Sequence, residues 1–184
     1  MMVELTEYQI KTIYQNHMVR DFPDTERKPL SMILKALQEG KYECYGAQKD
    51  DGFYGYAFFV KCGQDYLLDY FAVFPELRCK GMGSAFLKEL SAHFKDKKVI
   101  IEAENPLFAE DASERNTRLR RIAFYLKNGC RDSDISVKLF HVEYKLLLLS
   151  DDQLIGRDEI KEIYQNIYQS VLPPLLYRTM LKIH

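Results

Sequence analysis

Residues 67–90, LLDYFAVFPELRCKGMGSAFLKEL, carry the most readable chemistry in this chain. An apolar strand runs into Arg78-Cys79-Lys80-Gly81-Met82-Gly83, and a helix opens there. The first N–H groups of a helix have no partner within it, and the macrodipole makes that end positive. Gly81 and Gly83 remove side chains, so the backbone can approach a ligand closely, while Arg78 and Lys80 add positive charge. A phosphate or diphosphate suits such a turn. Two other phosphate loops do not fit. GxxxxGK[ST] is absent, and GxGxxG fails because Phe86 stands where its third glycine belongs.

Arg78-x-x-Gly81-x-Gly83 follows a strand ending Phe71-Ala72-Val73, with Pro75 between; this resembles the acetyl-CoA signature of the GNAT superfamily of N-acetyltransferases. RIAFYLKNG, residues 121–129, is similar to that family's second helix, and Glu102-Ala103-Glu104-Asn105-Pro106 to the strand before it. Together these signals cover residues 66–130 in the family's order. The resemblance implies an α/β fold with a mixed, mostly antiparallel sheet flanked by helices. Its central parallel pair, here 66–73 and 98–104, would splay apart around acetyl-CoA. It implies that Arg78, Cys79, Lys80, Gly81, Met82, Gly83 and Ser84 hold the diphosphate, and that Phe71, Ala72 and Val73 pair with the pantetheine. The Val73 N–H would face the thioester carbonyl, and a donor aimed at developing charge is worth roughly 3 kcal/mol. Tyr125 matches the family's general acid for the leaving thiolate.

An amine attacks only when neutral, and a free alkylammonium has a pKa of about 10. A carboxylate can take its proton, and the candidates are Asp69 and Glu104. Asp69 lies four residues before Val73, on the same strand face. Three positions depart from the family pattern. Cys79 stands where glycine is common, Cys130 replaces a phenylalanine, and Arg118 occupies the usual asparagine position seven residues before Tyr125. Asn116, nine before, is the remaining cofactor-contacting candidate. The arginines of RNTRLRR, 115–121, suit either a solvated face paired with Glu110, Asp111 and Glu114 or the cofactor's 3′-phosphate. In the family the acceptor wall comes from the N-terminal helices and the last strands, which here supply Asp24, Glu26, Tyr45, Tyr56 and Tyr144.

The elements that must position these groups are legible from periodicity. Thr6 caps a helix over 7–20, and a second runs from Leu30 to Leu37, stopped by Gly40. Strands follow at 42–47, 53–60 (after an Asp51-Gly52 turn) and 66–73. A helix over 83–94, a strand over 99–103, a helix over 117–127 and strand-like chain over 135–149 complete a domain spanning 1–150. Leu119, Ile122, Ala123 and Leu126 form the apolar stripe of the 117–127 helix, with Tyr125 at its edge. Residues 151–184 read as a C-terminal helical extension, packed on the same domain or at a homodimer interface, with Ile160, Ile163, Tyr164, Ile167 and Val171 on one face.

Composition narrows the partners. The 184 residues are 47% hydrophobic and carry 26 basic against 27 acidic side chains, a net charge of −1. That balance argues against nucleic acid and anionic membrane as partners, and no apolar run reaches membrane-spanning length. Cys44, Cys62, Cys79 and Cys130 show no CxxC pair and no metal-ligand spacing with the four histidines. The expectation is a cytoplasmic, metal-free acyltransferase that moves the acetyl group of acetyl-CoA directly to a primary amine of a small molecule or peptide. The alternatives are a silent acyl-CoA-binding or sensing module and a nucleotide-phosphate enzyme.

Overall fold

The computed structural model describes residues 1–24, 26–50, 52–149 and 155–184. Asp51 of the expected hairpin turn and the boundary at 150/151 lie outside them. The strands are β1 (Met2–Glu4), β2 (Tyr42–Lys49), β3 (Gly52–Cys62), β4 (Asp65–Val73), β5 (Lys98–Glu104), β6 (Arg131–Leu139), β7 (Val142–Leu148) and β8 (Leu181–Ile183). The α-helices are α1 (Glu7–Ile13), α2 (Val19–Asp21), α3 (Leu30–Gln38), α4 (Met82–His93), α5 (Ala112–Lys127), α6 (Arg157–Val171) and α7 (Pro174–Met180). Contacts group the chain into two compact units. The first is Met1–Lys61 with Leu68–Ala92, and the second is Cys62–Leu67 with His93–His184.

In the first unit the strands run in the order β1-β2-β3-β4, with β1/β2 and β2/β3 antiparallel. Thr6 starts α1 through a capping box: its Oγ1 accepts from the Gln9 N–H at 3.3 Å, and Gln9 Oε1 accepts from the Thr6 N–H at 2.8 Å. The single helix expected over 7–20 is interrupted, because Tyr14–Met18 is π-helical. Ile10, Ile13, Met18 and Ile33 are buried, as are the aromatic side chains of Tyr56, Phe58 and Phe59. Gly40, at φ +67°, ends α3 as expected.

In the second unit the start of β4, Asp65–Leu67, lies parallel beside β5, and the order continues β5-β7-β6-β8 with antiparallel neighbours. The eight strands thus make one mixed sheet flanked by helices. Asp111 caps α5 by accepting from the Glu114 N–H at 2.8 Å. A Schellman motif ends it: the Cys130 N–H bonds the Tyr125 carbonyl at 3.1 Å, the Gly129 N–H bonds Leu126 at 3.2 Å, and Gly129 takes φ +90°.

Two expectations need correction here. The buried face of α5 is Arg118, Ile122 and Tyr125, while Leu119 and Leu126 are exposed and Ala123 faces solvent with them. The C-terminal stretch is not wholly helical, since β8 pairs with β6 through Val137↔Ile183. The apolar face of α6 (Ile160, Ile163, Tyr164, Ile167, Tyr168) is already buried within this chain. No helix among the described residues is long and apolar enough to cross a membrane.

Candidate active site

The strand–turn–helix at 73–84 lies in the first unit. Pro75–Leu77 forms a 3-10 turn off the end of β4. Cys79 and Gly81 then take left-handed conformations at φ +61° and +77°, and α4 opens at Met82. The Ala85 N–H bonds the Gly81 carbonyl at 3.0 Å, so the N–H groups of Met82, Gly83 and Ser84 precede the helix's first bond and have no partner within it. A Cβ added at Gly81 would meet nothing within 4 Å, so the turn is open at the point where an anion would approach.

The two cations expected to serve this turn are otherwise engaged. Lys80 Nζ donates to the Glu76 carbonyl at 3.0 Å. Arg78 Nε donates to the Val73 carbonyl at 2.8 Å, and its guanidinium reaches Asp21 Oδ1 at 2.7 Å. Asp21 is almost fully buried, and its other oxygen accepts the Tyr56 hydroxyl at 3.0 Å. Burial first, then that carboxylate, pushes the Tyr56 phenol above its ordinary range. The turn itself offers the N–H groups of Met82, Gly83 and Ser84, while Arg78 locks the end of β4 to α2.

Phe71, Ala72 and Val73 end β4. The Phe74 N–H bonds the Tyr54 carbonyl on β3 at 2.8 Å. Strand alternation therefore turns the Val73 peptide to the opposite edge, where Arg78 takes its carbonyl. Gly55 lets β3 come this close, because a Cβ there would stand 2.6 Å from the Ala72 oxygen. Asp69, further back on β4, accepts Lys28 Nζ at 2.5 Å on one oxygen and the Tyr42 hydroxyl on the other. The Tyr70 hydroxyl accepts from the Lys28 N–H at 2.8 Å and donates to the Glu26 carbonyl at 3.1 Å, which pins residues 26–28 to the same strand.

In the second unit Tyr125 is 6% exposed rather than at a stripe edge, and burial raises its phenol pKa against the lowering influence of Arg121. Glu104 is held at 2.5 Å by Arg121 and at 3.3 Å by Arg118. Arg118 is buried and also bonds the Asn105 carbonyl at 3.0 Å and Glu114 at 2.7 Å. The arginine run thus divides: Arg118 braces α5 against the end of β5, while Arg115, Arg120 and Arg121 face outward, as does Asn116. Asp69 and Glu104, the expected proton acceptors, each carry a donor on both oxygens. All four thiols are free, and burial pushes that of Cys130 up to about 12. Among the described residues no group of three or more His, Cys, Asp or Glu could hold a metal ion.

Sequence reasoning missed Asp21 and named Tyr56 only as an acceptor-wall candidate; Asp21 meets Tyr56 and Arg78 through contacts distant in sequence.

The mixed sheet, the glycine-bearing turn that opens α4 and the capped helix ending at Gly129 define an α/β domain with a candidate anion-binding turn. Residues 40–130 match the family model described as an acetyltransferase (GNAT) domain. Over these residues the chain is similar to the GNAT acetyltransferases, a family of enzymes that act on amines. No curated protein matches the sequence. Among solved structures, a GNAT-family protein from Bacteroides thetaiotaomicron superposes with TM-score 0.75 at 20% identity, covering 92% of this chain and 96% of its own. The ribosomal-protein-S18-alanine N-acetyltransferase of Escherichia coli gives 0.59 at 15%, covering 84% and 99%. An aminoglycoside 6′-N-acetyltransferase complexed with coenzyme A gives 0.56 at 11%, covering 83% and 99%. At these identities the likeness is one of fold.

Proposed function

We propose that this chain is an acetyl-CoA-dependent N-acetyltransferase that moves the acetyl group directly to a primary amine of a small molecule or peptide, in the cytoplasm and without a metal. The observation that carries this is the open turn Cys79–Ser84 set against the Val73 edge, with Gly81 at φ +77° and unobstructed. Acetyl-CoA supplies the acyl carbon as a thioester. The N–H groups of Met82, Gly83 and Ser84 bind the diphosphate, and Phe71–Val73 present peptide groups to the pantetheine. The Val73 N–H polarises the carbonyl, and the Tyr125 hydroxyl donates to the departing sulfur. Asn116 contacts the cofactor from α5. Asp69 and Glu104 each carry a donor on both oxygens, and these partners hold β4 and α5 in place. Two structural neighbours whose names specify an amine acceptor, the ribosomal-protein-alanine and the aminoglycoside enzymes, support an amine here. Residues 1–150 would form the catalytic domain, and 151–184 an extension that completes its core.

One observation favours a module that binds acyl-CoA without turnover: Tyr125 is buried. Calorimetry with coenzyme A, then coenzyme A release with a panel of amines for wild type and Tyr125→Phe, separates the two. Turnover that falls about 100-fold or more in the variant, with coenzyme A affinity unchanged, supports the enzyme. Binding without release by either protein supports the module, and no heat at millimolar coenzyme A removes both.

A further inference from the structure

The π-helical segment Tyr14–Met18 has no part in the site described so far. Such segments cost regular helix bonding and recur at functional positions. This one carries His17, whose ring stacks on Phe74, the residue after Val73, with centroids 3.6 Å apart and planes 3° from parallel. His17 Nδ1 is buried and makes no hydrogen bond among the described residues. A histidine retained for packing alone would satisfy that nitrogen, since a phenyl ring would fill the same stack without an unpaired polar atom. Nε2 is not among the buried unpartnered atoms and makes no hydrogen bond among the described residues, which leaves it in reach of solvent. The charged groups around the ring are Arg20, Asp21 and Glu76; Asp21 is already taken by Arg78 and Tyr56. Burial first, then Arg20, holds the imidazole below its ordinary pKa, so it is neutral near pH 7.

We propose that His17 is a catalytic residue of the acyl transfer, with Nε2 taking the proton from the acceptor nitrogen. This rests on the acetyltransferase function proposed above. The expected bases Asp69 and Glu104 have their oxygens occupied, whereas His17 offers an open nitrogen beside the end of the strand that presents Val73. The acceptor enters as a neutral amine, its nitrogen bonds the acyl carbon, and its proton passes to Nε2. The C–S bond breaks, sulfur keeps the electron pair and gains one proton from solvent by way of the Tyr125 phenol, and the imidazolium returns one proton to water. Because the acceptor enters neutral, an α-amine, whose pKa of about 8 leaves part of it neutral at pH 7, suits this route better than a lysine side chain with a pKa of about 10.4.

The test uses the full chain, acetyl-CoA, an alanyl-phenylalanine amide with a free α-amine and an Nα-acetyl-lysine amide with a free ε-amine. The variants are His17→Phe, which keeps a ring on Phe74, and His17→Gln. Coenzyme A release is followed from pH 5.5 to 9, coenzyme A binding by calorimetry, and the His17 imidazole C–H by NMR, identified by its absence in His17→Phe. The expected results are an NMR midpoint below 6.5 and faster acetylation of the alanyl amide. His17→Phe should lose about 100-fold or more in turnover, lose the acid limb of the pH profile, keep its coenzyme A affinity and melt no lower than wild type. A midpoint at or above 6.5, or full turnover with the acid limb intact in His17→Phe, overturns the assignment alone. So does a wild type that binds coenzyme A and acetylates neither amide. No heat with coenzyme A overturns the acetyltransferase function itself.

Discussion

Arg78 shows how one side chain can be misjudged from its type. A guanidinium beside a phosphate turn suggests ligand binding, yet here its donors go to the Val73 carbonyl and to a buried Asp21. Removing it leaves a buried carboxylate with only the Tyr56 hydroxyl. Arg78→Ala should therefore destabilise the protein by about 2 kcal/mol, read as a lower urea midpoint at an unchanged m-value. If Arg78 were chiefly a phosphate ligand, stability would hold and only coenzyme A affinity would fall. His17 adds a pH signature. Its folded pKa is lowered, so below about 6.5 the unfolded chain binds the proton more readily. Stability is then complete above pH 6.5 and lost as pH falls through the folded pKa. Thermal melts between pH 7 and 5.5 should show this decline in wild type, and less of it in His17→Phe.

Elements set the geometry of the turn through two glycines. Gly81 sits at φ +77° in open space, so Gly81→Ala should cost about 1–2 kcal/mol from backbone strain alone and weaken coenzyme A binding by moving the amides of α4. Gly55 is the steric case, because its added Cβ would stand 2.6 Å from the Ala72 oxygen. Gly55→Ala should push β3 from β4, cost about 1–3 kcal/mol and misplace the Val73 peptide. A coenzyme A titration calorimetry series over both variants, beside chemical denaturation, tests whether turn and strand edge act as separate contributions. The Schellman bond from Cys130 to the Tyr125 carbonyl fixes the end of α5, which ties Tyr125 to its helix from the backbone side.

At the scale of the molecule, α6 belongs to the second unit's core. Tyr164 and Tyr168 both donate to Glu102 on β5, Tyr168 at 2.6 Å, and Lys98 pairs with Glu159. Truncation at residue 150 would strip cover from Glu102 and from the partners of Ile163 and Ile167. The truncated chain should lose its cooperative melt by circular dichroism rather than simply change mass in sedimentation. Ile163→Ala, a milder probe, should cost about 2–5 kcal/mol. A dimer built on the apolar face of α6 would predict a mass change with little loss of stability, the opposite pattern.

The sequence alone determined whatever depends on neighbours a few residues apart. Thr6 announces a helix start, Gly40 and Gly129 announce helix ends, and Gly81 and Gly83 announce the turn from strand to helix, because each follows from local backbone geometry. The order of strands and helices between residues 30 and 148 was legible for the same reason, whereas β1 and β8 were not. Tertiary structure decided what each side chain faces. Leu119 and Leu126 sit at helical spacing but lie outside, because Arg118 on the adjoining face is drawn in by Glu104, Glu114 and the Asn105 carbonyl. Asp21 meets Arg78 across 57 positions, and Tyr42 meets Asp69 across 27. Burial and ion pairing depend on such long-range contacts, which no periodicity in a single chain encodes.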